Sequence, residues 1–171
     1  MAEFNQPTDI LMPEQKPKLP SGINVLTILT FIGCGLGLIG AVYNFFTAKS
    51  SLDKMEAALN SANYDSMPAM AKKFLSPEAL EVARKTYENR IPLNLIGIIA
   101  IVLCFVGAMQ MRQLKAQGYM LYIIGEVLPL VGYVIFLGAG FLTGFSGIIG
   151  IAFTLLFVLL YTAQRKYLVN K

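Results

Sequence analysis

A chain of 171 residues that is 56% hydrophobic and 14% charged, with a mean hydropathy of +0.61, is too apolar for a soluble domain; such domains run at about 45–50% apolar and about 25% charged. Its net charge of +4 is small and scattered, with no basic cluster interleaved with aromatics, so no nucleic-acid partner is expected. There is no histidine, and Cys34 and Cys104 both lie in apolar runs without a Cys-x-x-Cys. That excludes a disulfide framework, His-based catalysis, haem ligation by His and most zinc sites, so no metal or cofactor is expected.

Residues 1–21, "MAEFNQPTDILMPEQKPKLPS", carry four prolines and no hydrophobic period, which reads as a flexible tail. Residues 22–46 then form an uncharged run, the first predicted membrane span. A signal-peptide core is only about 7–15 residues long, so this longer run reads as an uncleaved anchor. Inside it, "GLGLIG" (Gly35–Gly40) spells G-x-G-x-x-G. A dinucleotide turn needs a preceding strand and further βαβ units, whereas this chain continues apolar to Phe46. Read as helix, Thr30, Gly33, Gly37, Gly40 and Asn44 fall at spacings of 3, 4, 3 and 4 and share one face. Gly33-x-x-x-Gly37 is then a helix-approach motif, and the run is a packing seam rather than a phosphate cradle.

Residues 47–90 are polar and read as two or three short amphipathic helices. Ser50 caps the first, with Asp53 three positions on and Leu52, Met55, Leu59 and Ala62 along one face. Ser66 caps a second, with Pro68 in its first turn and Met67, Met70, Ala71, Phe74 and Leu75 following at helical spacing. Ser76, before Pro77 and Glu78, starts a third, lined by Leu80, Ala83 and Tyr87. Glu81 pairs with Arg84 and Lys85 on a solvated face. The segment caps the bundle, docks a partner through Met55, Met67 and Met70, or covers a ligand.

Three more spans follow at residues 91–111, 119–140 and 145–164. A short basic loop (112–118) and a turn (141–144) join them, and a basic tail (165–171) ends the chain. The predicted fold is therefore all-α: an integral membrane four-helix bundle in a lipid bilayer, with an amphipathic helical segment between spans one and two. Ala100, Cys104 and Ala108 repeat a small-xxx-small pattern on span two, and Gly125 and Gly132 stand seven apart on span three. Lys16, Lys18, Arg112, Lys115, Arg165, Lys166 and Lys171 fall on one side, and residues 47–90 on the other carry as many Lys and Arg. The tie is broken by Arg112, Lys115, Arg165 and Lys166 standing directly at span ends and by the acids that dilute the long segment, which predicts cytoplasmic N- and C-termini.

Glu126 is the only acidic residue inside a span, and an intramembrane carboxyl is a functional hypothesis by default. Thr30 and Thr154 lie at a similar depth and are its expected hydrogen-bond partners. Pro129, three residues on, frees a carbonyl near Gly125 and predicts a kink. Asn24, Asn44, Asn94 and Gln110 are placed near span ends, facing water or headgroups. Tyr119, Tyr122, Tyr161 and Tyr167 read as an aromatic belt at one boundary, with Tyr43, Phe45 and Phe46 at the other.

The stretch "LPSGINVLTILTFIGCGLGLIGAVYNFF" and the ending "LLYTAQRKYL" resemble small, uncharacterised four-span bacterial membrane proteins. That resemblance implies a bacterial inner membrane and no particular activity. Small multidrug resistance transporters also carry one essential glutamate, but in the first span, whereas Glu126 is in the third. The expected function is non-enzymatic: an accessory or structural subunit that packs with itself or with a larger membrane complex. The alternative is a small proton- or cation-linked transporter or channel subunit using Glu126.

Overall fold

The computed structural model describes residues 19–61 and 64–168. The expected tail over residues 1–18, the position of Ala62 and the end of the basic tail (169–171) lie outside the described residues. Among the described residues every regular element is helical and there is no strand. Four helices are long and apolar enough to cross a membrane.

The first, α1 (Ser21–Leu59), is one unbroken helix of 39 residues. At 1.5 Å per residue it is about 58 Å long, nearly twice the ~30 Å of a bilayer's hydrocarbon core. The expected break at residue 47, with a new helix capped by Ser50, does not occur. The apolar run ends at Phe46, but no proline or glycine follows until Pro68. Ala48, Lys49, Leu52, Met55 and Ala57 are good helix formers. Extending an existing helix avoids the cost of a new nucleus.

A 3₁₀ turn (Tyr64–Ser66) and the six-residue α2 (Ala69–Phe74) follow. Ser66 therefore lies in the turn rather than at a helix cap, and α2 starts only after Pro68, which is extended at ψ 146°. The third expected start is found: α3 (Pro77–Glu88) has Ser76 as its N-cap, its hydroxyl accepting from the Ala79 N–H at 3.1 Å. The Glu78 carboxyl is held below the ordinary value of 4.5 by its backbone N–H and then by the Ser76 hydroxyl. The Lys85 ammonium, 2.7 Å from Glu81, lowers that carboxyl too. Arg84 does not join Glu81; it crosses to Glu56 on α1 at 2.9 Å. That pair and the buried Leu52 fix α3 alongside the protruding end of α1.

The chain turns at Asn89 into α4 (Arg90–Arg112), with Pro92 in its first turn, where a missing N–H leaves no hydrogen bond unmade. Then come α5 (Ala116–Leu137), a short α6 (Gly140–Thr143) where a plain turn was expected, and α7 (Phe145–Gln164). Helix α5 runs through Pro129 and stops at Gly138, whose φ of 85° suits glycine. The four long helices alternate in direction. Helices α4 and α5 form the tightest pair, α1 lies against α4, and α7 touches α5 and α1 lightly. Only 11% of the apolar window of the last long helix is buried. The bundle closes at the end where α1 begins and α7 finishes, with Gln164 packed on Gly22 and Arg165 5.5 Å from the Tyr119 ring.

Candidate functional site

Three of the four tyrosines expected to form a belt are turned into the bundle. Tyr119, Tyr122 and Tyr161 are buried, with Tyr122 and Tyr161 each 1% exposed. A hydroxyl buried among apolar helices must find a partner there, and each of these does. Tyr119 shares a 2.7 Å hydrogen bond with Thr162. The Tyr161 hydroxyl meets the Thr30 hydroxyl at 2.8 Å. Tyr122 donates to Glu126 Oε1 at 2.6 Å, one turn along α5. The Tyr122 and Tyr161 rings pack tilted, with centroids 4.3 Å apart. Tyr43 and Tyr167 are exposed.

These contacts assemble a polar cluster from three helices. Thr30 on α1 joins Tyr161 on α7, which packs on Tyr122 of α5, which holds Glu126. Thr154 on α7 donates to Glu126 Oε2 at 3.5 Å, at the long limit of a hydrogen bond. Thr154 is thus brought to Glu126, whereas Thr30 is not: Tyr161 takes its hydroxyl instead. From α4 the Cys104 thiol adds a weak contact to the Tyr122 carbonyl at 3.9 Å, and Cys34 on α1 points to the Ile101 carbonyl at 3.7 Å. Both cysteines are free, Cys104 buried and Cys34 partly so. No group of three or more His, Cys, Asp or Glu that could hold a metal ion occurs among the described residues.

The small residues divide into two sets. Along the α4–α5 contact they are consumed by packing, although Gly97 on α4 is open. Ala100, Cys104 and Ala108 are buried. A Cβ on Gly125 would stand 2.6 Å from Cys104 Sγ, and one on Gly132 would stand 3.0 Å from Ile96 Cδ1. Gly107 and Gly118 belong to the same seam and bring the two backbones together; a Cβ on Gly107 would lie 2.7 Å from the Gly118 carbonyl oxygen. A sequence signal for Gly118 existed, since it stands seven residues before Gly125, as Gly125 does before Gly132. Gln110, expected at a wet span end, instead has its Oε1 buried with no hydrogen-bond partner among the described residues.

On α1 the small residues are open. A Cβ on Gly33 or Gly40 would meet nothing within 4 Å, and one on Gly37 would meet only the Ile101 side chain, at 3.5 Å. Among the described residues the expected α1 seam is therefore only partly closed: Thr30 is buried against Tyr161 and Gly37 touches Ile101, while Gly33 and Gly40 stand open. Helix α1 meets α4 through a neighbouring face, where Phe31 lies 5.0 Å from Phe105 and Cys34 faces Ile101. Comparison with protein-family models, with curated proteins and with solved structures finds no match to this chain.

Proposed function

We propose that the protein is a non-enzymatic, multi-pass membrane subunit that associates through α1, with a second copy of itself or with a larger membrane complex. The observation that supports this is the open face at Gly33 and Gly40. Glycine inside a helix costs about 0.5–1 kcal/mol relative to alanine. At Gly107, Gly118, Gly125 and Gly132 close packing offsets that cost; at Gly33 and Gly40 nothing among the described residues does. A helix seated on this face would bring its backbone close to α1, as small-xxx-small contacts do in bilayers. Exposed Ile32, Leu36 and Ile39 would flank it.

The membrane is a bacterial inner membrane in this reading, with both termini cytoplasmic. Arg112, Lys115, Arg165 and Lys166 gather at one end, and Glu126 is the only acidic residue between 91 and 168. Glu126 serves as helix glue, since its two oxygens accept from Tyr122 on its own helix and Thr154 on α7. One feature favours the second reading, proton or cation binding: no salt bridge to a basic side chain neutralises this carboxyl among the described residues. Crosslinking and pull-down from native membranes test the main reading. A specific crosslinked dimer or a co-purifying membrane complex is expected, and a chain that stays monomeric and partnerless would contradict it. If Glu126→Gln abolishes pH-dependent ion flux in proteoliposomes while assembly persists, the second reading replaces glue.

A further inference from the structure

An open groove of about 560 Å³ runs between α1 and α4 at the cationic end of the bundle. It is lined by Phe31, Phe105, Met109, Arg112 and Gln113. On α4, residues 105, 109 and 112 are spaced by four and three, so they form one stripe about 10 Å long. Phe31 and Phe105 pack within it with ring centroids 5.0 Å apart. Arg112, the last residue of α4, turns its guanidinium back over the Phe31 ring at 5.9 Å, across the mouth. Gln113, the next residue, also lines the groove. The long helices carry no acid at this end to answer the charge, since none occurs between 19 and 52 and only Glu126 between 91 and 168.

We propose that this groove binds an anionic phospholipid, with the phosphate on Arg112 and one acyl chain along Met109 and Phe105. A free phosphate would leave the apolar stripe unmatched, and a bare hydrocarbon chain would leave Arg112 unanswered. A phospholipid at the helix end matches both, with its headgroup at the level of the last α4 residue and its chain directed inward. Basic pockets between membrane helices hold anionic headgroups by this chemistry. The proposal rests on the membrane-spanning reading and is independent of association through α1.

The test first establishes membrane residence by resistance to alkaline extraction. The purified protein in detergent is then given phosphatidylglycerol or phosphatidylcholine of equal acyl composition, and retained lipid is counted by native mass spectrometry. Phosphatidylglycerol is expected to be retained about fivefold over phosphatidylcholine, the size of one surface cation's contribution. Arg112→Gln is expected to abolish that preference. Lys115→Gln, outside the groove, and Arg112→Lys, which keeps the charge and controls for folding, are expected to retain it. Equal retention of the two lipids overturns the proposal. So does a preference that survives Arg112→Gln, or equal losses in the Arg112→Gln and Lys115→Gln variants. Displacement by glycerol phosphate would assign the site to a free phosphate and also overturn it. A chain that washes out in alkali refutes the membrane reading itself, and this inference with it.

Discussion

The α4–α5 hairpin and helix α1 use the same residue type in opposite ways. Gly107, Gly118, Gly125 and Gly132 each face an atom of the partner helix that would crowd a Cβ. Gly33 and Gly40 face open space. Both helices carry the small-xxx-small spacing, so spacing alone does not say whether a seam is closed inside the chain. The difference lies in what stands opposite. Gly107 and Gly118 oppose each other, and backbone meets backbone. On α1, Phe31 and Cys34 make the contact with α4, Gly37 touches Ile101, and Gly33 and Gly40 are turned to the flank.

The largest effect should come from closing space in the filled seam. Gly118→Ala puts a methyl within contact of the Gly107 carbonyl and the Met111 backbone. It should cost about 1–3 kcal/mol, read as a lowered melting temperature of the detergent-solubilised protein. The same change at Gly33 should leave stability within about 0.5 kcal/mol or raise it slightly. Equal destabilisation at both positions would erase the contrast between the two helices. Next in size is the polar cluster. Tyr122→Phe removes the donor to Glu126 and should cost about 0.6–1.7 kcal/mol. Glu126→Gln keeps an acceptor toward Tyr122 and should cost less, in the same melting assay.

The smallest effect lies outside the bundle. The first turn of α3 is supported by Glu78, whose carboxyl is lowered by hydrogen bonds at the helix start, and by Glu81 with Lys85. A lowered folded value means that this support is complete above the ordinary 4.5 and is lost as pH falls through the lowered values. Amide exchange at Ala79 and Leu80, corrected for intrinsic rates, should quicken at pH 3 relative to pH 5.5. The α4–α5 amides near Gly118 should not respond.

Composition and run length made the four long helices legible, because apolar runs of spanning length admit few other folds. The Ser76 cap was legible for a local reason: its hydroxyl serves an N–H three residues away. The continuity of α1 was not, because hydropathy marks where an apolar environment ends and not where a helix ends. The burial of Tyr122 and Tyr161 was hidden for a related reason. A tyrosine near a span end reads as belt from sequence, whereas a polar partner inside the bundle, Thr30 for Tyr161 and Glu126 for Tyr122, makes burial favourable. Thr154 was paired with Glu126 by depth alone; depth failed for Thr30 because Tyr161 intervenes.

The central claim is that the open α1 face is used between molecules. Its most direct measurement is energy transfer between donor- and acceptor-labelled copies co-reconstituted in liposomes, for the wild type and for the double variant Gly33→Leu, Gly40→Leu. The account predicts transfer that rises with protein density in the wild type and falls to the level of random proximity in the variant, with an unchanged melting temperature. Transfer that is equal in the two proteins, or no higher than random proximity in the wild type when native membranes also yield no partner, would contradict it.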